Sequence, residues 1–69
     1  MAVERALVAE WIELWHRTGE RIDSGWPENG RRPAGAFGTV EEARAYAKHM
    51  HWNPGVVTVV RVRRFKVKR

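Results

Sequence analysis

The chain has 69 residues, with 13 Lys and Arg against 8 Asp and Glu and a formal net charge of +5. This length holds one domain, which buries only about 60% of the surface its unfolded chain exposes. With no Cys, disulfide staples and thiolate metal sites are excluded, so stability must come from a core built on four Trp, two Phe and one Tyr, or from association. The longest apolar run falls far short of the ~18 residues that span a bilayer, and Glu4 stands where a signal peptide is apolar. The reading is a single small domain over residues 1–69, cytoplasmic, with no membrane association.

The N-terminal third supports two readings. As a helix, residues 3–18 place Leu7, Trp11, Leu14 and Trp15 on one side and Glu10, Glu13, Arg17 and Glu20 on another, with Gly19 as the C-cap. As a hairpin, Trp11 to His16 form the first arm, Arg17-Thr18-Gly19-Glu20 the turn, and Arg21 to Trp26 the second arm. That register sets Trp15 opposite Ile22 and Trp11 opposite Trp26, so that three aromatics and an Ile share one face. The hairpin is preferred, because the β-branched run near the C-terminus needs backbone partners that only residues 5–26 can supply. The helix would also leave about twenty structureless residues before Thr39. Residues 1–9 are a lead-in that lengthens the first strand or forms a short helix.

From Pro27 to Gly38 the chain reads as a loop, with Asn29-Gly30 as a turn signal. The glycines before Thr39 could cradle a phosphate, but the Lys-Ser/Thr ending of a P-loop is missing, and a flexible lead into a capped helix is the preferred reading. Thr39 and Glu42 form a capping box. Val40, Ala43, Tyr46, Ala47 and Met50 follow as an apolar stripe, with Glu41, Arg44 and Lys48 on another side, until Asn53-Pro54-Gly55 stops the helix. Trp52 is expected to plug the domain edge. Val56 to Val62 reads as a strand, and residues 63–69 as its basic C-terminal extension, in which Phe65 and Val67 alternate with cations. The predicted class is α+β: a small three-stranded antiparallel sheet, from a β-hairpin and the C-terminal strand, with one helix packed on it.

Charge is unevenly placed. Residues 1–30 are net −3 and residues 31–69 net +8, and ten of the thirteen cations are Arg. Arg pairs phosphates bidentately and stacks on bases, so Arg61, Arg63, Arg64, Lys66, Lys68 and Arg69 are the candidate nucleic-acid contacts. Arg44 and Lys48 on the helix would extend this cluster, and Arg31-Arg32 would offer a second arm. A solvated, solubilising tail is the competing account. Phe65 could stack on a base, although packing on the core is the preferred reading, and core is likewise preferred for Trp11, Trp15 and Trp26 over an exposed platform.

Catalysis has little support. Ser24 and Asp23, the only Ser and Asp, fit turn chemistry. His49-Met50-His51 points its imidazoles to different sides of a helix, so no metal or other cofactor is predicted. The expected function is a small non-enzymatic binding domain that contacts nucleic-acid phosphates. The alternative is a protein-interaction adaptor or inhibitor, of a kind common in phages and mobile elements, acting as a homodimer through a free sheet edge.

Overall fold

The computed structural model describes residues 4–30 and 32–67. The elements follow in the order β1 (Arg5–His16), β2 (Arg21–Ile22), α1 (Val40–His49) and β3 (Val57–Val67). They form an antiparallel sheet of order β2-β1-β3 with one helix, which is the α+β arrangement expected from the sequence. The N-terminal third is strand, and it begins well before Trp11: the lead-in from Arg5 onward belongs to β1.

The hairpin register departs from the expected one by a single residue, because its loop holds three residues rather than two. The His16 N–H donates to the Glu20 carbonyl (2.8 Å), leaving Arg17, Thr18 and Gly19 as the loop, and Gly19 takes the left-handed φ of 97°. A left-handed third residue is what this loop length requires. Leu14 therefore opposes Ile22, and Trp15 opposes Arg21. A shift of one residue moves a side chain to the other face. Ile22 joins Leu14 instead of Trp15, and the expected aromatic face does not assemble. β2 also stops at Ile22, so the predicted arm to Trp26 is too long, and Trp26 is 61% exposed.

β1 alternates about the sheet. Ile12 and Leu14 face α1 and pack with Ile22, Phe37, Ala43 and Ala47, while Val40, Tyr46, Trp52, Val57 and Val59 close the cluster. Burial of Leu14 is complete. Trp11 lies on the opposite face and is buried with Ala9 and Ala36 against Val62. Both Trp11 and Trp15 donate their indole N–H to the Glu13 carboxylate between them, at 3.0 and 2.9 Å. Trp11 is thus core, as preferred from the sequence, and Trp15 is half-buried beside it.

Thr39 caps α1, its hydroxyl accepting from the Glu42 N–H at 3.1 Å. The Glu42 carboxylate accepts from Gly38 rather than from Thr39, so the return bond of the box is displaced by one residue. The helix ends before the Asn-Pro-Gly stop. His51 adopts a left-handed φ of 59°, and the N–H groups of His51 and Trp52 bond the carbonyls of Lys48 and Ala47, closing the last turn. Trp52 then seals that end, with its ring 4.9 Å from His16 and 6.0 Å from Tyr46.

The segment before Thr39 is not a flexible lead. Phe37 exchanges two backbone bonds with Ile12 (2.7 and 2.9 Å), extending the β2 side of the sheet, and Gly35, Ala36 and Phe37 are all buried. Gly35 has φ 82°, and a Cβ there would come within 3.1 Å of the Asp23 carboxylate. Only glycine suits both the backbone and the space.

Candidate nucleic-acid interface

β1 and β3 pair along nearly their whole length, from His16 opposite Val57 to Arg5 opposite Val67. An 11-residue strand is about 37 Å long, whereas the ten residues of α1 span about 15 Å. The helix can cover only one end of the pair. Residues 5–10 and 61–67 continue past it as a two-stranded ribbon within a molecule measuring 47 × 25 × 19 Å.

A β-bulge sets the side chains of this ribbon. Leu7 opposes Phe65 and Ala9 opposes Arg64, so Val8 is the extra residue on β1. Past the bulge Arg5 and Leu7 share the helix-side face with Phe65 and Val67. The Arg5 guanidinium lies 5.2 Å from the centre of the Phe65 ring. Leu7, Phe65 and Val67 are each about half exposed. Phe65 therefore does not pack on the core, because α1 ends before it.

The candidate cations divide between two faces. Arg61 and Arg63 lie on the helix-side face and converge on Glu10: Arg63 Nε donates to Glu10 Oε2 at 3.1 Å, and Arg61 Nη1 is 3.7 Å from Glu10 Oε1. Arg64 and Lys66 occupy the opposite face, exposed. Lys68 and Arg69 lie outside the described residues. Arg44 and Lys48 are exposed on α1 and line a groove of about 940 Å³ between the helix and β3. The floor of that groove is Leu14, Ala47, Val57 and Val59, and His51 and Trp52 close its end. Arg44 and Lys48 thus sit beside the covered end of β3, away from the ribbon tip.

Arg31 lies outside the described residues, and Arg32 is half-buried with its guanidinium against Gly38, so Arg32 is not a free arm. Ser24 is committed to structure: its hydroxyl donates to the Ala36 carbonyl at 3.0 Å and accepts from the Trp26 N–H at 3.1 Å. Asp23 accepts from the Gly25 N–H at 2.7 Å. Among the described residues, no three of His, Asp and Glu gather as metal ligands.

Two members of the site were missed in the sequence. Arg5 and Glu10 lie more than fifty residues from their partners, and no local spacing announces either contact; only the strand pairing brings Arg5 to Phe65 and Glu10 to Arg61 and Arg63. Together the fold and this site define a small α+β domain with a cationic β-ribbon. No protein-family model, curated protein or solved structure matches the chain. Among the described residues, no helix is long and apolar enough to cross a membrane.

Proposed function

We propose that this chain is a non-enzymatic, nucleic-acid-associated domain of the cytoplasm that contacts phosphates through its β1–β3 ribbon. One observation carries the reading: over residues 5–10 and 61–67 the ribbon holds Arg5, Arg61, Arg63, Arg64 and Lys66 against the single carboxylate of Glu10. A dense cationic surface gains affinity by releasing counterions from a polyanion. Because Glu10 partly neutralises Arg61 and Arg63, Arg64 and Lys66 are the stronger contacts. Phe65, half-exposed beneath Arg5, offers a surface on which a base can stack. Arg44 and Lys48 add attraction from the helix side.

Fluorescence anisotropy with labelled single- and double-stranded oligonucleotides tests this reading. Between about 50 and 200 mM salt the affinity should drop, with a log–log slope of about −3 to −4 on duplex. The double variant R64A/K66A should reduce that slope by about two units, and R61A by less than one. Absence of binding at low salt, or binding indifferent to salt, would discard the phosphate mechanism.

A further inference from the structure

β3 is an edge strand, and among the described residues nothing pairs with its outer side. Free edges accept further strands, and proteins guard them with charge. Here the guard covers one half. Arg61, Arg63, Arg64 and Lys66 protect the second half, whereas Val57, Thr58, Val59 and Val60 carry no charge. The unguarded half borders the groove beside α1. The guarded half ends in Phe65 and Val67, 49% and 50% exposed on the groove's own face of the sheet. One strand therefore has a concave apolar surface at one end and two protruding apolar side chains at the other.

We infer that two copies of the chain form a twofold dimer in which β3 pairs antiparallel with the partner's β3 along its whole length. Full overlap of Val57–Val67 sets Val62 against the partner's Val62. Opposed residues share a face in antiparallel pairing. Phe65 meets the partner's Val59 and Val67 meets the partner's Val57, so the protruding side chains of each copy seat at the groove of the other. On the opposite face Lys66 meets the partner's Thr58 and Arg64 meets the partner's Val60. The cationic half of one strand thus lies along the uncharged half of the other. Between the two β3 strands, and among the described residues, like charges directly oppose each other only where Arg61 faces the partner's Arg63, and Glu10 already holds both of these cations in each copy. Parallel in-register pairing would set every cation against its own copy, which is destabilising.

The product is one continuous six-stranded sheet, with β2 at each outer edge and both helices on the same face. Twofold closure uses up the free β3 edge and leaves no β3 template for open growth. The cations remain on the sheet faces, so the dimer stands independently of the nucleic-acid reading.

Nuclease-treated protein tests the inference in the absence of any polyanion. Sedimentation should give twice the 8.0 kDa mass of one chain, dissociating on dilution. Because the chain has no Cys, V62C gives a clean cross-linking readout. Its interchain disulfide should form at least about tenfold faster than that of E41C on the exposed side of α1, since facing strand residues lie within disulfide reach. T58C and K66C chains should cross-link when mixed and not when oxidised separately. V60R, facing the partner's Arg64, should weaken the dimer about tenfold, or ~1.4 kcal/mol. R64E in the same chain should restore it, and circular dichroism should show both variants folded. A single-chain mass up to about 1 mM, V62C cross-linking no faster than E41C, or V60R dimerising like the unaltered chain would each overturn the inference.

Discussion

The same two strands behave as core at one end and as surface at the other. Under α1, Ile12, Leu14, Phe37 and Ala43 are at most 3% exposed, whereas beyond it Leu7, Phe65 and Val67 on the same sheet face are about half exposed. Backbone pairing runs through both regions, interrupted at the Val8 bulge, so its presence or absence is not what separates core from surface. The difference is cover. A ten-residue helix is too short for the strands beneath it, and what lies outside its reach becomes a surface that water, a polyanion or a second copy must meet.

Substitutions can sharpen this contrast. Leu14→Ala should cost most, about 2–5 kcal/mol in urea denaturation, because it opens a cavity at a fully buried position. Phe65→Ala, at concentrations where the chain is single, should change stability by about 0.5 kcal/mol or less. Equal costs at these two positions would show that the ribbon is core after all. Thr39→Ala should fall between them at about 1 kcal/mol, by removing the acceptor for the Glu42 N–H, and would lower thermal stability without altering nucleic-acid affinity.

Glu10→Gln, like Phe65→Ala, should have only a small effect on stability. Its ion pairs are partly exposed and contribute about 0–1 kcal/mol. Binding should nevertheless tighten, because Arg61 and Arg63 lose their internal counter-charge, and the salt slope should steepen by about one unit. Weaker binding by this variant would mean that Glu10 serves to position the two guanidinium groups.

Much of the fold was legible where the chemistry is local. Thr39 announces the start of α1, its apolar stripe announces the buried Ala43 and Ala47, and the β-branched run from Val56 announces β3, which begins one residue later at Val57. The helix end was less legible, since His51 occupies a left-handed position that glycine usually fills. Hairpin register was not legible, because Thr18-Gly19 fits two loop lengths and the choice falls to packing. With the loop of three, Ile22 lands under α1 with Leu14. For the candidate interface, sequence gathered the cations but could not sort them. Alternation along β3 separates Arg61 and Arg63 from Arg64 and Lys66, and the carboxylate that restrains the first pair comes from β1.

Sequence alone determined the class of elements, their order and the concentration of Arg at the C-terminal end, because capping, β-branching and charge act over a few residues. Tertiary structure decided the hairpin register, the bulge at Val8, the pairing of Glu10 with Arg61 and Arg63, and where the cover of α1 stops. Those features depend on contacts between residues distant in the chain, whose energies exist only once the strands have met. The uneven charge visible in the sequence thereby acquires a shape: a two-faced ribbon with one half of its edge unguarded.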